Sequence, residues 1–173
     1  PLSSRVGFSG DGADGIDTFV RLPYGTSSGN LTKELSVATT RSEMAALVDA
    51  HLSAEDAGDL DGAVAGYTDD VEHDVVGAPG GPLRGPAAAR LRYTQLLEQV
   101  RTDRLTEARR FYGDEVCVVE HECAATVLGE FAGLPGRGRP VRFRMLHVFE
   151  FRGGRISREN VWMDTATVLA QLR

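Results

Sequence analysis

Apolar and polar residues alternate most regularly near the C-terminal end of the chain. From Val141 to Phe151 every second residue is apolar or a histidine, and charged residues occupy three of the five positions between them. This period of two predicts a β-strand with one face turned toward a core. Gly153 and Gly154 suit a tight turn, so a second strand is expected to pair with the first. Alternation in the second strand predicts one shared face for Ile156, Asn160, Trp162 and Asp164.

Helical spacing of apolar residues marks the earlier part of the chain. The stripe from Met44 to Leu52 predicts an amphipathic helix with Ser42 as its cap. A short second helix is expected to end near Tyr67, and Pro86 suits the first position of a third. Further strands are predicted over residues 71–76, 105–112 and 116–128. Three helices followed by an antiparallel sheet indicate the α+β class and exclude a doubly wound nucleotide-binding fold.

Residues 1–40 differ from the rest because they are rich in glycine, serine and aspartate and have no sustained periodicity. We interpret them as a loosely ordered arm or extension, with one folded domain over residues 41–173. An alternative is that the arm packs on a partner subunit through the apolar residues between Ile16 and Tyr24.

Composition narrows the class of protein. The 173 residues, of which 42% are apolar, suffice for one domain with its own core. A net charge of −6 without a basic cluster argues against a nucleic-acid binder. No apolar run approaches the roughly 18 residues that span a membrane, and there is no charged-then-apolar leader. We expect a cytoplasmic protein in which Cys117 and Cys123, in one strand, form no disulfide.

Three histidines lie on the more apolar face of their predicted strands: His73, His121 and His147. Each alone is compatible with an ordinary core residue. Together with Asp164 they predict a polar cluster inside an apolar cavity. His51, in the first helix, is expected at the surface or at the rim of the cavity. The histidines offer no short pair of metal ligands in the sequence, so no metal site is predicted.

Two segments carry a resemblance to a known family. They are GEFAGLPGRGRPVRFRMLHVFEFRGGRIS, from Gly129 to Ser157, and WMDTATVLAQL, from Trp162 to Leu172. Both resemble the SnoaL-like polyketide cyclases of the nuclear-transport-factor-2-like superfamily, and the resemblance extends from about residue 41 to the end. It implies a cone-shaped barrel in which a curved antiparallel or mixed sheet carries three N-terminal helices on its concave face. It also implies chemistry without a cofactor.

The resemblance assigns roles to two residues. SnoaL-like cyclases close a ring in an aromatic polyketide ester by an intramolecular aldol reaction. Carried over to this chain, Asp164 removes a proton alpha to the ester carbonyl, and His147 donates a proton to the carbonyl oxygen that the new bond leaves behind. Burial in an apolar pocket is expected to raise the pKa of Asp164 and suit it to this exchange.

The expected ligand is a hydrophobic, polycyclic or polyketide-like small molecule. Trp162 would stack on such a ligand or pack in the core. The side chains expected to line its site are His73, His121, Trp162, Asn160, Tyr93 and Phe149.

Other functions remain open on this fold. They are epoxide hydrolysis, isomerisation or dehydration, and a binding or assembly module without catalysis. Epoxide hydrolysis would require an arginine and two carboxylates around a water, and the sequence shows no second inward carboxylate beside Asp164. A cavity lined by the three histidines and Asp164 would favour an enzyme.

The face of the sheet opposite the histidines still carries apolar residues: Val116, Val118, Leu146 and Val148. A solvated sheet face is normally polar. We therefore expect a homodimer, or a dimer of dimers, that forms through this outer face.

Overall fold

The computed structural model describes residues 38–173, and all but the last three residues of the predicted arm lie outside this range. The helices are α1 (Arg41–Ala57), α2 (Leu60–Ala65), α3 (Pro86–Gln99) and α4 (Thr165–Leu172). The strands are β1 (Tyr67–Val75), β2 (Leu83–Arg84), β3 (Val100–Gly113), β4 (Val116–Val127), β5 (Glu130–Phe131), β6 (Leu134–Pro135), β7 (Arg139–Arg152) and β8 (Arg155–Met163).

Six strands form one curved, mixed sheet in the order β2-β1-β8-β7-β4-β3, and β5 pairs with β6 in a separate hairpin. Among the strands of residues 38–173, only the pairing of β1 with β8 is parallel. The predicted α+β class and mixed sheet are therefore confirmed. A fourth helix, α4, follows the sheet in addition to the three predicted helices.

Local sequence explains where the helices begin. Thr40 caps α1 and forms a reciprocal capping box with Glu43, so the cap lies two residues before the predicted Ser42. Pro86 occupies the first turn of α3, as predicted. None of the helices in residues 38–173 has both the length and the hydropathy that crossing a bilayer requires.

The inner face of the sheet packs against α1, α2 and α3. Its main core joins Met44 and Val48 of α1 with Val71, Val119 and Phe149 of three strands. A second cluster at the other end of the sheet includes Val168 and Leu172 of α4. The cysteines are buried and free, as expected.

A β-bulge changes the alternation of β8. Glu150 pairs with Arg158, but the next residue, Phe151, pairs with Ile156, so Ser157 is an additional residue on β8. Because side chains alternate, one extra residue exchanges the faces of everything beyond it. Ile156 and Glu159 both point inward for this reason, while Asn160 lies on the outer face.

The outer face of the sheet retains large exposed apolar side chains. Phe111 is 55% exposed, Trp162 53% and Leu146 39%. Leu146 on β7 pairs with Trp162 on β8. Phe111 on β3 pairs with Val118 on β4, which in turn pairs with Val148 on β7. We call the surface formed by these five residues the outer apolar patch.

Candidate active site

A fully buried carboxylate lies between the sheet and the helices. Glu159 of β8 has no exposed surface. Its Oε2 accepts a hydrogen bond of 2.7 Å from the hydroxyl of Tyr93 and another from the hydroxyl of Tyr67. The two phenol oxygens are themselves 2.8 Å apart. Burying a charge is costly unless it is paired and hydrogen-bonded, and these phenols supply part of that stabilisation.

Three buried imidazoles surround the same carboxylate. Nε2 of His51 lies 3.4 Å from Oε1 of Glu159, and Nε2 of His147 lies 3.9 Å from the same oxygen. Nε2 of His73 lies 3.9 Å from Oε2. The rings come from α1, β7 and β1, so the site joins three separate parts of the chain.

Burial and neighbouring charges shift the pKa values of these groups in different directions. Burial opposes protonation of His51, but the carboxylates of Glu159 and Glu55 raise its pKa to about 10. Burial lowers the pKa of His147 to about 3 and keeps that ring neutral. Burial also opposes ionisation of Glu159, yet His51 holds its pKa below the usual range. The cluster therefore contains an anion and a cation among neutral rings.

A fourth histidine connects this cluster to a cleft. Nδ1 of His121 on β4 is 3.3 Å from Nδ1 of His147, and the two rings meet edge to face. His121 also lines a cleft of about 310 Å³ between α1 and the strands β3 and β4, which we call the His121 cleft. A continuous path of polar groups thus leads from the cleft through His121 and His147 to Glu159.

The rest of the His121 cleft is mixed in character. Leu52 and Leu105 supply apolar surface, and the remaining walls include acidic residues. Arg110 crosses this cleft, with Nη1 at 2.7 Å from Asp49 and Nη2 at 2.6 Å from Glu107. The ion pair with Asp49 ties β3 to α1 beside His121, whereas Glu107 lies on the same strand as Arg110.

Asp164 lies elsewhere. It is exposed and caps α4, because its carboxylate accepts hydrogen bonds from the amide of Thr167 at 3.1 Å and from its hydroxyl at 2.7 Å. These bonds lower the pKa of Asp164, so the expected rise through burial is wrong. Asp164 lines a separate cleft of about 420 Å³, the Asp164 cleft, together with Arg142, Phe143 and Arg144. This cleft is the larger, but it contains none of the four histidines.

The other residues expected at the site are divided between the two faces of the sheet. His73, His121 and His147 lie on the inner face as predicted, and Tyr93 and Phe149 are buried with them. The ring of Phe149 stacks on His147 with centroids 5.7 Å apart. The prediction that Asn160 and Trp162 share this face is wrong, because the bulge turns both outward. Asn160 instead donates a hydrogen bond to Asp74.

Two members of the cluster were missed. His51 is 3% exposed, so its expected surface position is wrong. Its spacing from Met44 and Val48 already placed it on the buried stripe of α1, but the polar neighbours in the sequence outweighed that signal. Glu159 could not be recognised by alternation, because the bulge that turns it inward has no distinct sequence signature.

Solved structures of several proteins are similar to this chain. A provisionally named polyketide cyclase of Xanthomonas campestris pv. campestris is 22% identical with a TM-score of 0.66, over 77% of this chain and 98% of its own. A second such protein, from Silicibacter sp., is 22% identical with a TM-score of 0.69, over 79% of this chain and 98% of its own. An LEH-like epoxide hydrolase of M. tuberculosis is 22% identical with a TM-score of 0.59, over 76% of this chain and 90% of its own. At these identities the likeness establishes the fold.

Comparison of the sequence with protein-family models identifies the family. A comparison with curated proteins gave no significant match. A family model described as SnoaL-like polyketide cyclase matches residues 45–172, which include Glu159 and all four histidines. The chain belongs to the SnoaL-like polyketide cyclase family.

Proposed function

We propose that the protein is an acid–base enzyme that closes a ring in a small, uncharged polyketide-like ester, with His121 as the base. One observation carries this proposal: the hydrogen-bonded pair of His121 and His147 connects a surface cleft to a buried carboxylate. A histidine whose far nitrogen is held by a second group is oriented for proton transfer at its other nitrogen.

The contacts among Glu159, His147 and His121 determine which ring nitrogen of each histidine carries a hydrogen. An ionised Glu159 favours the tautomer of His147 with hydrogen on Nε2, the nitrogen that faces the carboxylate. Nδ1 of His147 is then an acceptor, and Nδ1 of His121 must be the donor across the 3.3 Å contact. This leaves a lone pair on Nε2 of His121, the ring nitrogen that does not contact His147. His147 and Glu159 act as positioning residues in this arrangement.

The reaction needs only one group to move the proton. Nε2 of His121 takes the proton alpha to the ester carbonyl, and the resulting enolate attacks a ketone carbon of the same molecule. A carbon–carbon bond forms as the ketone π-bond breaks, and its oxygen becomes an alkoxide. The imidazolium of His121 then returns the proton to that oxygen, so the ring closes without net gain or loss of atoms.

The lining of the cleft indicates the kind of substrate. A volume of about 310 Å³ is at the lower end of ligand sites, which suits a compound of one or two rings. The lining includes three carboxylates, from Asp49, Asp56 and Glu107, and one guanidinium, from Arg110, so it carries a net negative charge. That charge disfavours a free carboxylate and favours a neutral ester.

Epoxide hydrolysis is a second candidate, and the ion pairs of Arg110 favour it. The arginine bridges Asp49 and Glu107 in the cleft, which supplies the two carboxylates and the arginine that this reaction requires. In such a site one carboxylate would activate water while another group donates a proton to the epoxide oxygen.

A panel of neutral aromatic polyketide methyl esters and a panel of small epoxides would separate these functions. Mass spectrometry of the products scores ring closure in the first and addition of ¹⁸O from labelled water in the second. For a cyclase, His121→Gln should reduce turnover about 100- to 10,000-fold, because a positioned base contributes about that much. For an epoxide hydrolase, the larger loss should follow Asp49→Asn.

Asp164→Asn is the matched comparison, since the family resemblance assigned the base to that position. Unchanged turnover in this variant would support the His121 cleft. A loss confined to Asp164→Asn would place the chemistry in the Asp164 cleft and refute the proposal. Stoichiometric binding without turnover in either panel would identify a binding module.

The outer apolar patch also supports the expectation of a homodimer. Its exposed aromatic and aliphatic side chains are adjacent and lie on the face of the sheet opposite Glu159 and the strand histidines. A second copy of the chain would cover them, and the His121 cleft on the opposite face would remain accessible.

A further inference from the structure

The first helix presents two potential metal ligands toward the buried carboxylate. His51 and Glu55 lie one helical turn apart on the same side of α1. Nε2 of His51 is 3.7 Å from Oε2 of Glu55 and 3.4 Å from Oε1 of Glu159. All three ligand atoms lie within 4.8 Å of one another.

The tautomer of His51 is fixed from its other side. Nδ1 lies 2.8 Å from the carbonyl oxygen of Ala63, and a carbonyl can only accept, so Nδ1 carries a hydrogen. When His51 gives up its proton, Nε2 therefore presents a lone pair to two carboxylate oxygens. Metal-binding histidines commonly have this arrangement, in which a backbone carbonyl holds the nitrogen that does not bind the ion. Three electron-rich atoms that converge in this way require a positive charge between them.

Two ligand atoms that share a proton lie at a different distance from each other than two ligand atoms that share a metal ion. A hydrogen bond from a protonated imidazole to a carboxylate is about 2.7–2.9 Å long. The observed separations of 3.4 and 3.7 Å exceed that range. Two ligand atoms bound at about 2.1 Å to one tetrahedral ion are about 3.4 Å apart. The two separations between His51 and the carboxylates therefore match atoms that share an ion better than atoms that share a proton.

Hydrogen bonding within the described residues leaves these atoms available. Nε2 of His51 and Oε1 of Glu159 are both fully buried, and neither has a hydrogen-bond partner among residues 38–173. Such atoms are costly in a protein interior unless something satisfies them. Glu55 is 21% exposed at its side chain, so it provides a path from the surface to the two buried ligands.

We propose that His51, Glu55 and Glu159 bind a divalent first-row transition metal ion of the zinc type. One imidazole and two carboxylates form a mixed nitrogen and oxygen set, which suits zinc, cobalt, iron or manganese. Calcium and magnesium prefer oxygen ligands alone and bind this set more weakly. The ion replaces the proton of His51, and an ionised Glu159 still faces His147.

The test uses the full chain after treatment with a chelator. Zn²⁺ and Co²⁺ should each bind with one ion per chain, measured by elemental analysis after dialysis. Free Zn²⁺ at about 100 times its dissociation constant should raise Tm by about 5–10 °C. The Co²⁺ complex should show visible absorption bands, while Mg²⁺ and Ca²⁺ at the same concentration should leave Tm unchanged.

Glu55→Gln keeps the shape of the side chain and removes one ligand at the partly exposed edge. It should weaken Zn²⁺ binding at least about tenfold. Asp56→Asn removes the same charge from the next, exposed position of α1 and should leave the affinity unchanged. The failure of chelator-treated wild type to bind Zn²⁺ and Co²⁺ would overturn the proposal. Equal affinity in Glu55→Gln and wild type would do so as well. The assay is independent of the proposed reaction, which can be scored on chelator-treated protein.

Discussion

The two phenols that contact Glu159 allow a direct test of how the buried carboxylate is stabilised. Tyr93→Phe removes the hydroxyl that donates to Oε2 at 2.7 Å and leaves the rest of the ring in place. A hydrogen bond to a charged group contributes about 1.5–3 kcal/mol. Because Tyr67 still donates to the same oxygen, we expect a loss near the lower value, about 1.5 kcal/mol.

Removing both phenol hydroxyls should cost more than the sum of the two single changes. In Tyr67→Phe or Tyr93→Phe alone, the remaining hydroxyl still satisfies Oε2. In the double variant Oε2 loses both of these donors, and Nε2 of His73, at 3.9 Å, is too far to replace them with a hydrogen bond. Residues that share one acceptor couple in this way, by about 0.5–3 kcal/mol.

Urea unfolding of chelator-treated protein, followed by circular dichroism, would measure these free energies. Tyr112→Phe is the control. The hydroxyl of Tyr112 is half-buried and accepts one long hydrogen bond, of 3.5 Å, from Arg110, and it contacts no buried carboxylate. This substitution should cost less than about 0.5 kcal/mol. If Tyr67→Phe and Tyr93→Phe cost no more than this control and add without coupling, the phenols do not stabilise an ionised Glu159. The charge assignment behind the proposed site would then be refuted.

Two further predictions concern the surface. Asp164→Asn should leave Tm nearly unchanged, because asparagine caps a helix as well as aspartate does, whereas Asp164→Ala should lower it by about 2–4 °C in a thermal scan. A loss of stability in the asparagine variant would show that the negative charge itself is needed. Trp162→Glu in the outer apolar patch should convert a dimer to a monomer in light scattering, while Leu91→Glu, on exposed α3, should not. A monomeric wild type at micromolar concentration would rule out the dimer.

The regular parts of this fold were predictable because their side chains follow simple periods. Alternation along β4 and β7 placed His121 and His147 on the inner face, and the structure confirms both. The period of two then failed in β8, where Ser157 adds a residue without a glycine or proline to mark it. One undetected bulge was enough to hide Glu159, which lies only two residues from the bulge.

The prediction for Asp164 failed for a different reason. Its place at the end of an apolar strand suggested a buried group, but the following residues form α4, and an aspartate directly before a helix satisfies backbone amides. The sequence contained the capping pattern, and Thr167, three residues later, is the partner that completes it.

The additional residue at Ser157 makes the chemistry of the interior depend on chain length. Deleting one residue at the bulge would preserve the apolar and polar composition of β8 while exchanging its two faces. Glu159 would turn to the outside, and Asn160 and Trp162 would take inner positions. In evolutionary terms, a single codon gained or lost there could create or abolish the buried carboxylate within an otherwise unchanged scaffold. Sequence alignments of such proteins will therefore assign opposite roles to the same residues if a gap is misplaced by one position.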